Sequence, residues 1–254
     1  MITLAGRAAV ITGGSRGIGA ATVKMFAKAG ADVVFSFNKN REAAQQVEQE
    51  ARKNGTRVES LKAELGTVKE AAKLVAFAKE RLGRLDILVA NAGIWNAEET
   101  PIEAMSEKEW DEMVRVNLKS LYAMVHEAVP HMIAQGGGRI ITVSSTAGQR
   151  GEPFHSHYAA TKGATISFTK ALSTELARHK ILVNCVAPGW VDTDMCKPIL
   201  ETKKGKKFAT AQIPLGRVAK AEEVAGPILF LASDLATFIN GEVLNVNGGS
   251  VLCG

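Results

Sequence analysis

Tyr158 and Lys162 stand four residues apart in FHSHYAATKGAT (154–165), and Tyr158 is one of only 2 tyrosines in the chain. On a helix that spacing stacks the two side chains on one face. A phenol that exchanges a proton near neutral pH must move from about 10 to about 7, which requires ~4 kcal/mol of preferential stabilisation of the phenolate. An ammonium about 4 Å away supplies ~4 kcal/mol at an effective dielectric near 20, so a lysine at i+4 has the right size and place. The same spacing also describes two residues on a half-exposed helix face, and the pair alone does not separate the readings. Ser145 adds chemistry: it lies in the run TVSST (142–146) that ends the fifth strand, thirteen residues before Tyr158. A serine hydroxyl at the carboxyl end of a strand can hydrogen-bond a carbonyl oxygen and hold it against the phenol. Ser144 has the opposite strand parity and reads as structural.

A second chemical site opens near the amino end. TGGSRGIG (12–19) follows an apolar run and leads into a helical pattern. Gly13, Gly17 and Gly19 leave backbone N–H groups unobstructed, so a pyrophosphate can approach the positive end of a helix, with Ser15, Arg16 and Ile18 completing the loop. The spacing G-x-x-x-G-x-G lacks the lysine of a triphosphatase loop. An NAD site carries an acid about 20 residues further on for the ribose 2′-hydroxyl. Here the second apolar run ends SFNKN, with Phe37 in that place and then Asn38 and Lys39. No carboxylate there repels a 2′-phosphate, and Arg16 and Lys39 can pair with one. The expectation is NADP(H) over NAD(H); the competing reading leaves Arg16 and Lys39 as exposed cations.

Both sites need a scaffold that brings residues 12–39 and 145–162 together. Short β-rich runs recur at 8–12, 32–37, 56–61, 85–90, 139–144, 181–187 and 242–247, and read as strands. Between them lie helical stretches such as AATVKMFAKAG, REAAQQVEQEARKNG and KEAAKLVAFAKERLG, each closing with a glycine. Near-continuous apolar strands alternating with helices predict an α/β, doubly wound Rossmann fold: a seven-stranded parallel sheet with helices on both faces. No linker, repeat or low-complexity tract divides it, so residues 1–254 are expected to form one domain. The stretch 190–215 reads as irregular and is expected to lie over the carboxyl edge of the sheet, where ligands bind.

Composition narrows the classes. Hydrophobic content of 46% and charged content of 22% fit a globular protein. The net charge of +5 is spread out; its densest run, KKGKK (203–207), reads as a solvated face of a mobile loop, with an acidic partner or phosphate as the alternative. Aromatics are not interleaved there, which argues against nucleic acid. Cys185, Cys196 and Cys253 show no C-x-x-C spacing and read as free thiols. With no leader-like start and no span of ~20 apolar residues, a cytoplasmic location is expected, with no membrane partner. His155 and His157 lack a third ligand at suitable spacing, so no metal is expected; they read as lining the entrance to a substrate cleft. Trp95 and Trp190 read as walls of that cleft or as core.

TGGSRGIG, ANAG (90–93), Asn117 in RVNL, Ser145 in VSST, YAATK (158–162) and PGWVDT (188–193) occur in an order that resembles the short-chain dehydrogenase/reductase family, over residues 4 to 250. The resemblance implies that Tyr158 is the general acid in carbonyl reduction, that Lys162 holds the nicotinamide ribose and lowers the Tyr158 pKa, and that Ser145 polarises the carbonyl. It implies a water on Asn117 linking Lys162 to solvent, and sheet support from Asn91 beside Ala92 and Gly93. Pro188, Gly189, Val191 and Thr193 would contact the nicotinamide and phosphates. Glu64 and Leu65 stand where many relatives carry Asp-Val for adenine. The carboxyl-terminal sequence is most similar to 3-oxoacyl-ACP reductases and related carbonyl, sugar and polyol reductases. Acyl-carrier protein is acidic and should meet a basic surface, yet one expected docking position holds Gly136, Gly137 and Gly138, and only Arg178 to Lys180 supply charge. A homotetramer, with the apolar VLCG end buried, is a further implication. A nucleotide-sensing protein without turnover is the rival reading from another class, and the presence of both Tyr158 and Lys162 argues against it.

Overall fold

The apolar runs pair as strands because each presents an apolar set to both faces of the sheet. In the computed structural model, which describes residues 2–253, the chain begins with β1 (Ala8–Ile11), α1 (Gly17–Lys28), β2 (Asp32–Phe37), α2 (Arg41–Arg52), β3 (Val58–Lys62), α3 (Val68–Leu82) and β4 (Ile87–Ala90). It continues with α4 (Glu107–Val114), a π-turn at Arg115–Lys119, α5 (Ser120–Ala134), β5 (Gly138–Val143), α6 (Thr146–Arg150), α7 (Ser156–Leu176) and β6 (Ile181–Pro188). The last part holds β7 (Val191–Asp192), α8 (Lys197–Leu200), α9 (Lys203–Ala211), β8 (Ala219–Lys220), α10 (Ala221–Ala232) and β9 (Val243–Val246).

The main sheet is seven-stranded and parallel, in the order β3-β2-β1-β4-β5-β6-β9, as a Rossmann-type fold requires. Alternation along the strands builds two cores. On one face Ala9, Ile11, Val33 and Phe35 pack with Val23 and Phe26 of α1, Val47 of α2 and Ile228 of α10. On the other, Val10, Val34, Leu88 and Ile140 pack with Leu74 of α3, Met124 of α5 and Leu172 of α7. The strand order reverses at β1 and β4, which splays the loops apart at their carboxyl ends and leaves a crevice.

The sequence pattern failed at 190–215. That stretch is not irregular: it carries β7, α8 and α9, and β7 pairs with β8 at Val191↔Ala219. Pro198 enters the first turn of α8, and Thr202 caps α9 by accepting a hydrogen bond from the Gly205 N–H at 3.0 Å. KKGKK therefore opens a helix rather than a mobile loop. Among the described residues, no helix is long and apolar enough to cross a membrane.

Candidate active site

The carboxyl ends of β1, β4, β5 and β6 open on one cavity of about 630 Å³, an ordinary size for a small-molecule site. Its wall takes in every expected cofactor residue, from the Gly13 loop through Asn38, Lys39, Glu64, Leu65 and Asn91 to Pro188 and Thr193.

At the first loop, α1 starts without a side-chain cap on its Arg16 N-cap and without an acid in its first turn. Its N-terminal N–H groups are thus free to take an anion. The loop is folded tightly on itself: a Cβ at Gly19 would lie 2.1 Å from the Gly13 carbonyl oxygen and 2.7 Å from Asn91 Nδ2. Asn91 Nδ2 donates to the Thr12 carbonyl at 2.9 Å, tying the end of β4 to the end of β1. These residues fit a dinucleotide pyrophosphate. Phe37 is buried at the end of β2, leaving Asn38 and Lys39 at the surface beside Arg16. Glu64 lines the cavity, but its carboxylate is held by Arg115 at 3.0 Å.

Ser145 is the N-cap of α6, and its Oγ accepts from the Ala147 N–H at 3.1 Å. Its own O–H remains free to donate. Ser144 instead donates to the Lys162 carbonyl at 2.8 Å, a structural bond. α6 can lie against α7 only because residue 148 is glycine: a Cβ there would sit 2.5 Å from the Lys162 carbonyl carbon. That approach brings Ser145 to Tyr158.

The electrostatics correct the sequence argument. Burial pushes the Tyr158 phenol up to about 12, with the Ser145 hydroxyl opposing it. Burial likewise brings Lys162 down to about 8. Lys162 Nζ donates to the Val143 carbonyl at 2.9 Å and lies 5.7 Å from the Tyr158 ring centroid. The ammonium lies over the ring, and the phenol, with burial its largest influence, stays far above 7. Tyr158 is therefore protonated at neutral pH, the form that an acid needs.

Asn117 sits in the π-turn, where the Ser120 N–H reaches back to the Arg115 carbonyl. Its Oδ1 accepts from the Ile94 N–H at 2.7 Å and its Nδ2 donates to the Ile94 carbonyl at 3.0 Å, so the side chain holds the backbone directly after the ANAG segment. Behind Lys162 lies a second cavity of about 10 Å³, bordered by Thr12, Asn117, Ser120 and Thr165, about the room one water needs.

Trp95 and Trp190 wall the main cavity and meet edge to face at 6.0 Å. The two histidines do not line its entrance, as their place in the sequence suggested. Both are buried: His155, just before α7, lies behind Trp95 with the rings stacked at 5.1 Å, and His157 is in the first turn of α7. Pattern reading missed Arg115, Arg150 and Cys196 as residues that also border the cavity; Arg115 opens the π-turn, Arg150 ends α6 and Cys196 precedes α8, and none has a partner at a spacing that marks a site.

A family model described as "Enoyl-(Acyl carrier protein) reductase" matches residues 13–250. A 3-oxoacyl-[acyl-carrier-protein] reductase of Thermotoga maritima is 38% identical over 249 residues, covering 98% of this chain and 99% of the relative. The chain belongs to the short-chain dehydrogenase/reductase family. A short chain dehydrogenase from Burkholderia cenocepacia, solved in complex with NADP, superposes with a TM-score of 0.91 at 33% identity, covering 97% of this chain and 98% of that one. A Beutenbergia cavernae protein with NADP bound at low occupancy, provisionally described as an NAD(P) dependent gluconate 5-dehydrogenase, gives 0.91 at 36% identity over 98% of both chains. As an NAD(P)-dependent short-chain dehydrogenase/reductase, this chain is an oxidoreductase of alcohols and carbonyls.

Proposed function

We propose that the protein reduces a 3-oxoacyl thioester with NADPH. The observation that carries the reading is the meeting of the Ser145 hydroxyl and the protonated Tyr158 phenol in the cavity that the Gly13 loop begins. The identity of 38% to a 3-oxoacyl-[acyl-carrier-protein] reductase supports a 3-oxoacyl thioester as the carbonyl. A bound reduced nicotinamide would supply the hydride that the carbonyl carbon accepts. The Ser145 O–H, free of its capping bond, donates to the carbonyl oxygen and orients it. Tyr158 gives its phenolic proton to that oxygen, so a 3-hydroxyacyl thioester results. Lys162, as a cation, stabilises the phenolate left behind. A water in the cavity beside Asn117 returns the proton through Lys162.

The 2′-phosphate preference rests on Arg16 and Lys39, with no acid at the end of β2. A carrier protein would find Arg178 exposed, while Gly136 to Gly138 offer no side chain. A homotetramer fits the exposure of Tyr122 on α5 (46%) and Leu252 near the carboxyl end (88%). One observation favours a second reading: the Trp95–Trp190 wall narrows the substrate end, as a compact sugar, polyol or small ketone would require.

The experiment is NADPH oxidation with acetoacetyl-N-acetylcysteamine. Rapid turnover is expected. Absence of turnover despite tight NADPH binding would overturn the thioester reading and leave the compact carbonyl.

A further inference from the structure

The four lysines of α9 have no part in the site just described, and their arrangement is unusual. At about 100° per residue, Lys206, Lys203, Lys207 and Lys204 fall within an arc of about 160°. Gly205 and Ala209 occupy the opposite side. That side is packed: Ala209 is fully buried, and a Cβ at Gly205 would lie 2.3 Å from the Ile199 carbonyl oxygen of α8. All four lysines are exposed. The neighbouring ion pairs, Lys197–Asp194 and Arg217–Glu223, involve none of them.

This face works against its own helix. Lys203–Lys207 is a like-charge pair at i,i+4, and Lys203–Lys206 and Lys204–Lys207 are like-charge pairs at i,i+3, all destabilising. The first turns of α2, α3, α4 and α10 carry glutamates; that of α9, like that of α1, carries none, and it sets Lys203, Lys204 and Lys206 beside the positive end of the dipole. A local rule broken without local compensation marks a surface that something else compensates.

The α8–α9 segment is anchored to the cavity wall at both ends. The chain enters α8 from Cys196, a cavity-lining residue, and leaves α9 at Gln212, whose Oε1 accepts from Arg150 of the cavity wall at 3.4 Å. Phe208 (60% exposed) and Leu215 (69% exposed) add apolar surface beside the lysines. A cationic face with an apolar edge, on a segment tied at both ends to the wall of the substrate cavity, complements an acidic macromolecule that delivers its substrate there.

We infer that the Lys203–Lys204–Lys206–Lys207 face of α9 is the docking surface for an acidic carrier protein presenting the substrate as a thioester. The inference rests on the thioester reading above. It places docking on the helix beside the cavity rather than at residues 136–138.

The test is the double variant Lys203→Glu/Lys207→Glu, with retained NADPH affinity as the check of fold. With 3-oxoacyl-carrier protein, KM should rise at least about tenfold and lose most of its salt dependence while kcat stays within about twofold. With the uncharged N-acetylcysteamine thioester, kcat and KM should not change. An unchanged KM for the carrier-bound substrate overturns the inference. So does an equal rise with the coenzyme A thioester, because the lysines would then be reading its phosphates. If the wild type reduces neither thioester, the catalytic reading fails by itself, and fluorescence anisotropy of labelled holo-carrier protein decides docking. Salt-sensitive binding that the double variant loses supports it; no binding, or equal binding by the variant, overturns it.

Discussion

Lys162→Met should stabilise the folded chain while it abolishes turnover. Lys162 is buried, and its drop from 10.5 to about 8 means that folding disfavours the ammonium by about 3 kcal/mol, at about 1.4 kcal/mol per pH unit. Methionine fills much the same space without the charge. It also forfeits the bond to the Val143 carbonyl, which returns about 1 kcal/mol, so the net gain at pH 7 is about 2 kcal/mol. The direction with pH follows from proton counting. Below pH 8 the amine is protonated in both states, and the folded wild type carries the whole penalty. Between pH 8 and 10.5 only the unfolded state keeps the proton, so wild-type stability rises with pH relative to the variant. Above 10.5 the penalty is gone and the variant is the less stable by the lost bond. Equilibrium urea unfolding of both proteins, without cofactor and at one protein concentration, measures the difference at pH 7 and pH 10. A variant less stable than wild type at pH 7, or a difference that does not shrink toward pH 10, would refute the assignment of Lys162 as a desolvated cation.

Two further outcomes concern the cofactor. Gly19→Ala places a Cβ 2.1 Å from the Gly13 carbonyl oxygen; overpacking of this kind should cost about 1–3 kcal/mol of stability and open the loop, seen as a large loss of NADPH affinity in a fluorescence titration. Lys39→Glu should weaken NADPH binding about tenfold and leave NADH binding nearly unchanged, since only the former carries the phosphate that meets the new charge; equal dissociation constants for the two cofactors in the wild type would remove the stated preference.

Most of the fold was legible because parallel strands buried on both faces announce themselves as apolar runs, and because Gly30, Gly55 and Gly83, which follow α1, α2 and α3, all adopt positive φ as their positions demanded. The residues of the cofactor loop, and the pair Tyr158 and Lys162, each lie within a single segment whose spacing fixes their relative placement, whereas Ser145 meets Tyr158 only through the packing of α6 on α7. What spacing could not give was environment. The interval Tyr158 to Lys162 says nothing of burial, so the direction of both pKa shifts came only with the packing of α6 on α7. α9 was hidden by its own lysines, whose repulsion is the signature of a loop until Thr202 is recognised as a cap. The inward turn of His155 depends on Trp95, sixty residues earlier, and no local pattern connects them.

The central claim is that Tyr158 is the proton donor to a carbonyl held by Ser145. The most direct measurement compares NADPH oxidation by wild type and Tyr158→Phe with acetoacetyl-N-acetylcysteamine, alongside NADPH dissociation constants for both. The account predicts that kcat/KM falls by about 10²–10⁴-fold, the span of a lost general acid, while NADPH binds the variant as it binds the wild type. A variant that still turns over at near wild-type rate would contradict it.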